Sequence, residues 1–271
     1  MSRIQVRFRE LGEQQRKALI PYVTAGDPQP DVTVPLLHAL VAAGADLVEI
    51  GVPFSDPMAD GPVIQAACER ALVHHVSLHD VLDMVREFRN SDKDTPVILM
   101  GYLNPIEVWG YEDFAEVAAA AGVDGVLTVD MPPEEANDLV RALQARSLDT
   151  IFLLSPTSSE ERMHLISQSA SGFIYYVSFK GVTGANRLDV GAVADKLDVI
   201  RGFTDLPLGV GFGIRDPESA AGVARVADAV VVGSALVGKV AGLVDSPESI
   251  PAELAATVAA MRAAIDAQTV T

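Results

Sequence analysis

Short apolar runs alternate along the chain with longer amphipathic stretches of helical length. The runs show no alternation of polar and apolar residues, which is typical of strands buried on both faces of a parallel sheet. They predict eight strands, at residues 18–24, 46–51, 96–101, 125–129, 150–154, 173–177, 207–210 and 229–232. The amphipathic stretches predict helices at residues 32–43, 63–73, 111–121, 133–145, 159–167, 217–224 and 251–267.

The junctions between predicted helices and strands repeat. Residues 43–46 read AGAD and residues 121–124 read AGVD, while RVAD at residues 225–228 occupies the same place without the glycine. A glycine here suits the left-handed residue that ends many helices. Eight strand–helix units in 271 residues favour an α/β fold with a closed (β/α)8 TIM barrel over a doubly wound open sheet. We therefore predict one barrel domain over residues 1–271, with an extra N-terminal helix.

Composition and charge change the picture mainly by exclusion. Hydrophobic residues make up 49% of the chain and charged residues 21%, as in ordinary globular proteins. The net charge of −17 repels phosphate backbones and anionic lipids, so we expect neither nucleic acid nor a membrane as a partner. The N-terminus is charged throughout, unlike a signal peptide, and the apolar stretch at residues 229–238 is too short to span a bilayer. The single cysteine, Cys68, leaves no intrachain disulfide, which favours a cytoplasmic protein.

A carboxylate interrupts the second predicted strand. The active site of a (β/α)8 barrel forms at the carboxyl ends of the strands, and Glu49 lies close to that end. Leu47, Glu49 and Gly51 share one face of the strand, which we assign to the barrel interior. Burial of an unpaired carboxylate is costly and raises its pKa. A structural Glu paired with a buried Arg or Lys is the alternative, but a carboxylate at a barrel strand end is more often functional, so Glu49 is a catalytic candidate.

The loop after this strand carries two further carboxylates. Asp56 and Asp60 lie among three prolines and a glycine that stiffen the loop. An Asp in a loop commonly only forms a turn. A stiff loop can nevertheless aim Asp60 at the cavity that holds Glu49, and two carboxylates in different environments can divide acid and base work.

Glycine-rich segments follow the last three predicted strands. Strand seven runs into GVGFGI at residues 209–214, and strand eight runs into GSA at residues 233–235. Glycines let backbone N–H groups approach an anion, and a helix N-terminus adds positive potential, so these two loops predict a phosphate site. The segment GVTG at residues 181–184, after strand six, has a spacing that suggests a mobile flap, with an ordinary long loop as the alternative.

Other candidate residues carry weaker signals. His75 and His79 are four residues apart and could hold a metal from one helix face, but no third ligand accompanies them, so we predict no metal site. Cys68 lies in a predicted helix and is expected to pack rather than react. Trp109 is expected to pack or to line a loop.

Several segments resemble one known family. Residues 49–62, EIGVPFSDPMADGP, are similar to the signature of the tryptophan synthase alpha chain family. The segments IPYVTAGDP at residues 20–28, GYLNP at 101–105, GVTG at 181–184 and GFGI at 211–214 fall in the family's order. The resemblance runs from about residue 17 to residue 235, and the last predicted helix fits it as well. Phe179 and Lys180 differ from family members that carry Arg-x before GVTG.

The resemblance implies an activity and a partner. The reaction would be the retro-aldol cleavage of indole-3-glycerol phosphate to indole and glyceraldehyde 3-phosphate, in L-tryptophan biosynthesis, without a metal or a Schiff base. It implies no cofactor in this chain and a beta subunit that holds pyridoxal phosphate, in an alpha2-beta2 heterotetramer.

The resemblance also implies roles for individual residues. Carried over by motif, Glu49 and Asp60 are the catalytic carboxylates, and Thr183 belongs to a closing loop over the substrate. The other residues implied to line the substrate cavity are Tyr22, Ile64, Tyr102, Leu127, Tyr175 and Phe212. Those implied to bind the phosphate are Gly184, Gly213, Gly233 and Ser234.

Three alternative functions stay open at this point. Lys180 could be the nucleophile of a Schiff-base aldolase, although it lies past the apolar run, where burial is not expected to lower its pKa. The chain could instead act mainly as a regulatory partner of the beta subunit, or as a stand-alone lyase that releases free indole. The presence of both Glu49 and Asp60 argues against an inactive chain.

Overall fold

The computed structural model describes residues 1–178 and 189–268. In this part of the chain, eight parallel strands form a closed barrel in sequence order, with β8 paired to β1. The strands are β1 (Ala18–Thr24), β2 (Val48–Gly51), β3 (Val97–Gly101), β4 (Gly125–Thr128), β5 (Asp149–Leu154), β6 (Ile174–Val177), β7 (Leu208–Gly211) and β8 (Ala229–Val232). The predicted (β/α)8 barrel is confirmed, and the open sheet is wrong.

Helices surround the barrel. They are α1 (Arg3–Glu13), α2 (Pro30–Ala42), α3 (Pro62–Val73), α4 (Leu78–Phe88), α5 (Leu103–Trp109), α6 (Tyr111–Ala121), α7 (Asn137–Ala145), α8 (Glu160–Ser169), α9 (Val190–Arg201), α10 (Pro217–Ala224), α11 (Ser234–Ala241) and α12 (Ile250–Asp266). The extra N-terminal helix is α1, as predicted. Four helices, α4, α5, α9 and α11, lie outside the predicted set, and α7 begins later than predicted because residues 133–136 form turns. None of the described helices has the length and apolar character needed to cross a bilayer.

Alternate residues of the strands fill the barrel interior. Ile20, Leu47 and Ile98 belong to one buried cluster there, so the inward face predicted for β2 is confirmed. Helix α1 covers the amino end of the barrel, because Ile4 is buried in the same cluster. The carboxyl end, where the strands lead into their loops, carries the candidate site.

Polar side chains before the even-numbered strands tie each of them to the odd-numbered strand that precedes it. In every case the side-chain oxygen accepts a hydrogen bond from a backbone N–H near the start of that strand. The pairs are Asp46 with Leu19 (2.9 Å), Asp124 with Val97 (2.8 Å), Ser171 with Thr150 (2.9 Å) and Asp228 with Leu208 (3.0 Å). The predicted repeat therefore marks a recurring connection, and its glycines, Gly44 and Gly122, have the expected positive φ of 101° and 96°.

Candidate active site

Glu49 lies on β2 with its carboxyl group inside the barrel. The residue is 1% exposed, and both carboxyl oxygens lack a hydrogen-bond partner among the described residues. Burial therefore raises the pKa of Glu49 to about 8, so the group carries a proton at neutral pH. Within the described residues, no Arg or Lys pairs with this carboxyl group, which argues against the structural alternative.

Two buried tyrosines lie next to Glu49. Burial raises the pKa of Tyr22 and of Tyr175 well above the ordinary value, and the nearby Glu49 carboxylate acts in the same direction. A Cβ atom on Gly51 would lie 2.0 Å from the Tyr22 hydroxyl, and one on Gly211 would lie 2.0 Å from the Tyr175 hydroxyl. The two glycines therefore make room for the tyrosine rings beside the buried carboxyl group.

Asp60 occupies a different environment, at the end of the loop between β2 and α3. The Tyr102 hydroxyl donates a hydrogen bond to Asp60 Oδ2 (2.8 Å) and accepts one from the backbone N–H of Ala59 (2.9 Å). Partial burial raises the pKa of Asp60, while the hydrogen bond from Tyr102 lowers it. Burial and the Asp60 hydrogen bond together raise the pKa of Tyr102, which keeps the phenol protonated as a donor. The structure thus gives the two predicted carboxylates contrasting surroundings.

A cavity of about 580 Å³ opens at the carboxyl end of the barrel. Of the predicted site residues, Asp60, Tyr175 and Phe212 line it. The rest of its wall consists of Ala59, Met100, Val129, Leu153, Leu154, Ser155, Thr157, Ser158, Ser159, Arg162 and Val177. The hydroxyl-rich loop after β5 was not among the predicted residues, although its place directly after a strand end is a signal that could have found it.

Four other predicted lining residues are not part of this wall, and neither is Glu49. Tyr102 is linked to the wall through the hydrogen bond to Asp60. Tyr22 and Ile64 pack against one another with Ala67 and Val237. Leu127 is buried in the barrel interior, in the cluster that also contains Tyr175. These side chains support the cavity, and their predicted contact with substrate stays a prediction.

The predicted phosphate residues of the described chain lie at neighbouring strand ends. Gly213 follows β7 with a φ of 78°, and Phe212 before it has a φ of 75°, which a residue with a side chain rarely adopts. Gly233 is the N-cap of α11, and the exposed Ser234 is its first residue. The exposed Gly213 and the N-terminus of α11 form a surface suited to an anion.

Three sequence predictions fall outside the described residues. These are Thr183 and Gly184, expected at the substrate and its phosphate, and Lys180, the candidate Schiff-base nucleophile. Their roles stay predictions.

The weaker candidates are resolved by the structure. His75 and His79 do not share a helix, because His75 lies in the turn between α3 and α4 with a φ of 57°. His79 instead stacks on Trp109, with ring centroids 3.8 Å apart, and Trp109 packs as predicted. Cys68 is buried in α3, as predicted. No group of three or more His, Cys, Asp or Glu side chains in the described part of the chain could hold a metal ion.

Comparison with known proteins identifies the family. A family model described as "Tryptophan synthase alpha chain" matches residues 8–266. The chain belongs to the tryptophan synthase alpha chain family. The tryptophan synthase alpha chain of Thioalkalivibrio sulfidiphilus is 66% identical over 266 residues, which cover 98% of this chain and 100% of that relative. The tryptophan synthase alpha chain of Nitrosococcus oceani is 64% identical over 267 residues, covering 98% of each chain.

Solved structures of tryptophan synthase share the fold. Tryptophan synthase subunit alpha from Legionella pneumophila superposes with a TM-score of 0.92 at 48% identity, covering 98% of this chain and 99% of that chain. An aminoacrylate-bound tryptophan synthase from Mycobacterium tuberculosis matches with a TM-score of 0.86 at 34% identity, covering 98% of this chain and 100% of that chain. Family and fold therefore agree with the resemblance seen in the sequence.

Proposed function

We propose that this chain cleaves indole-3-glycerol phosphate through the carboxyl groups of Glu49 and Asp60. Its family makes it a carbon–carbon lyase of L-tryptophan biosynthesis, with indole and glyceraldehyde 3-phosphate as products. One observation carries the assignment of roles. Near Tyr22, whose pKa both groups raise, the site combines the enclosed carboxyl group of Glu49, which has no hydrogen-bond partner among the described residues, with the half-buried carboxylate of Asp60, which Tyr102 holds.

Glu49 performs both proton transfers in this proposal. Its pKa of about 8 means that it holds a proton at neutral pH and can donate it to C3 of the indole ring. The carboxylate that results can take the proton of the hydroxyl group on the carbon bonded to C3. As the oxygen electrons form the aldehyde C=O bond, the bond between that carbon and C3 breaks and its electrons return to the ring. Glu49 ends the reaction protonated, as it began.

Asp60 stabilises the charge that develops on the ring. After protonation at C3, the indole N–H carries positive charge, and a carboxylate that accepts a hydrogen bond from it lowers the energy of that state. The hydrogen bond from Tyr102 favours the ionised form of Asp60 and fixes the direction of its second oxygen. The ring itself is the electron sink, so the proposed steps use only side chains of this chain.

The phosphate group of the substrate serves as a handle. We assign it to Gly213, Gly233 and Ser234, together with Gly184, and assign Thr183 to the loop that closes over the substrate. Binding at a distance from the breaking bond positions the substrate without taking part in the chemistry.

A beta subunit is the proposed partner of this chain. We propose that it holds pyridoxal phosphate, that the assembly is an alpha2-beta2 heterotetramer in the cytoplasm, and that residues 1–271 form one domain. Two large apolar side chains in the segments after β2 and β3 support a docking surface: Met58 is 86% exposed and Val108 is 81% exposed. The segments that carry them are in contact, because Ala59 donates to the Tyr102 hydroxyl at the start of α5.

The test is indole release from indole-3-glycerol phosphate by the purified chain, with and without a tryptophan synthase beta subunit. We expect slow release alone, faster release with the beta subunit, and losses of about 10²-fold or more in Glu49→Gln and Asp60→Asn. Fast release without stimulation would favour a stand-alone lyase. Activation of the beta subunit without indole release would favour a regulatory partner.

The Schiff-base alternative has its own test. Borohydride added with substrate would reduce an imine on Lys180 to a stable adduct. We expect no adduct by mass spectrometry, and a trapped adduct would overturn the proposed mechanism.

A further inference from the structure

Helix α3 holds the turn that ends in Asp60. Gln65, in the first turn of α3, donates from Nε2 to the backbone carbonyl of Asp60 (2.8 Å) and to that of Pro57 (3.3 Å). The Pro57 carbonyl also accepts a hydrogen bond from the Asp60 backbone N–H (3.1 Å). A single side-chain amide therefore joins both ends of the turn at residues 57–60.

The N-cap residue of α3 cannot bond the turn at residues 57–60 through a side chain, so Gln65 provides this contact. The N-cap of α3 is Gly61, which has no side chain to cap the helix. The backbone N–H of Gln65 bonds to the Gly61 carbonyl (3.0 Å), which fixes the position of Gln65 relative to the turn. The Gln65 side-chain amide therefore bonds the preceding turn from a fixed position on α3.

Helix α3 is itself anchored to the barrel. Arg70 donates from Nε to Asp27 Oδ1 (2.6 Å) and from Nη2 to Asp27 Oδ2 (2.8 Å), and Asp27 follows β1 with 3% exposure. A two-bond Arg–carboxylate pair fixes orientation as well as distance. The path from β1 through Asp27, Arg70 and Gln65 thus connects the barrel wall to the turn that carries Asp60.

We propose that Gln65 is a positioning residue that holds the Asp60 carboxylate where it meets the substrate. The inference rests on the proposed function, because only there does Asp60 act at the indole N–H. The Gln65 side chain bonds the backbone of the turn and is absent from the cavity wall. Its loss affects the reaction through the direction of Asp60.

The expected effect falls on turnover rather than on folding. The turn is half exposed, so water can replace the lost donor at the two carbonyls and the fold persists. A catalytic group displaced by about 1 Å can cost about 10²-fold in rate. A loosened turn therefore lowers kcat, while the rest of the cavity wall, which lies on other strands and loops, stays in place.

The first experiment compares Gln65→Met with the parent chain in complex with the beta subunit. Methionine keeps the length of the side chain and removes its donor. We expect kcat for indole release to fall by about tenfold or more, with KM changed by less than about threefold. Gln144→Met, at an exposed position on α7, is the matched control and should keep the parental kcat. An unchanged kcat in Gln65→Met would overturn the proposal.

A double-mutant cycle separates positioning from general damage. If Gln65 acts through Asp60, Gln65→Met should cost little further activity in an Asp60→Asn chain. The same fold loss in both backgrounds would overturn the role of Gln65 and leave the proposed function standing. Full activity of Asp60→Asn alone would overturn both.

Hydrogen exchange gives a readout that does not depend on residual activity. The Asp60 amide proton is bonded to the Pro57 carbonyl, which also accepts from Gln65. We expect it to exchange about tenfold faster in Gln65→Met at an unchanged unfolding midpoint. Parental exchange at Asp60 would show that the turn keeps its geometry without Gln65 and would overturn the proposal.

Discussion

Single residues of the site differ mainly in how they are desolvated. Glu49 is enclosed by the barrel and has no hydrogen-bond partner among the described residues, whereas Asp60 accepts a hydrogen bond from Tyr102 and lines the open cavity. Burial raises the pKa of Glu49, because none of the residues that the structure describes compensates its charge. The same contrast that supports the proposed chemistry makes Glu49 a source of pH-dependent instability.

Replacement of Glu49 should reveal this cost. Its pKa is about 8 in the folded chain against an ordinary value of 4.5, so between these pH values the unfolded chain loses the proton first. The contribution of Glu49 to the free energy of unfolding is fully present below pH 4.5 and is lost as the pH rises through 8. We expect Glu49→Gln to gain stability relative to the parent over this range, by at most about 1.4 kcal/mol per pH unit.

Urea unfolding of both chains at pH 5, 6, 7 and 8 measures the trend. Glu87→Gln, at an exposed position on α4, is the control and should show no comparable change. A difference between Glu49→Gln and the parent that is constant from pH 5 to 8 would contradict the raised pKa of Glu49.

At the scale of secondary-structure elements, side chains before the even-numbered strands connect the elements in pairs. Asp124 accepts three hydrogen bonds, from the Val97 backbone N–H, from Arg89 (2.7 Å) and from Arg3 (2.7 Å). Both Asp124 and Arg89 are buried, and neither lines the substrate cavity. These bonds therefore stabilise the strand order on which the site depends.

Asp124→Ala should destabilise the chain strongly. The change removes the acceptor of the Val97 N–H and leaves the charge of Arg89 without its buried partner, which typically costs about 3–5 kcal/mol. Asp83→Ala removes an exposed ion pair with Arg86 on α4 and should cost only about 0.5 kcal/mol. Denaturant unfolding of the two variants measures the difference in the free energy of unfolding. Equal losses would show that the buried bonds of Asp124 stabilise the chain no more than an exposed ion pair does.

At the scale of the whole molecule, the two ends of the barrel differ: the amino end is closed by a helix, and the carboxyl end is open to the cavity. Helix α1 covers the amino end, with the Phe8 and Phe173 ring centroids 5.7 Å apart. The carboxyl end carries the cavity, and the segments that follow β2 and β3 carry the exposed apolar side chains of Met58 and Val108. A partner docked there would lie next to the loop that holds Asp60.

Val108→Asp should weaken this docking. A charge in place of an exposed apolar side chain at an interface costs about 1–2 kcal/mol, so we expect about tenfold weaker binding of the beta subunit. Indole release by the isolated chain should stay at the parental level. Val244→Asp, at a 40% exposed position after α11, is the control. Titration of indole release with the beta subunit measures the effect, and parental affinity in Val108→Asp would place the docking surface elsewhere.

Local sequence was sufficient for the barrel and for part of the site. The strands of a parallel barrel are buried on both faces, so each leaves a continuous apolar run, and β1 and β8 have the predicted bounds. Glu49 stands out because a carboxylate interrupts such a run. The junction motif also points to real bonds, at Asp46, Asp124 and Asp228.

Only the tertiary structure decided the environment of these residues. The pKa of Glu49 depends on barrel closure, which brings Tyr22 and Tyr175 beside it from distant parts of the chain. The partner of Asp60, Tyr102, is 42 residues away, and His79 stacks on Trp109 rather than sharing a helix with His75. Periodicity and motifs report which face a residue presents, whereas desolvation and hydrogen bonding depend on what the folded chain places against that face.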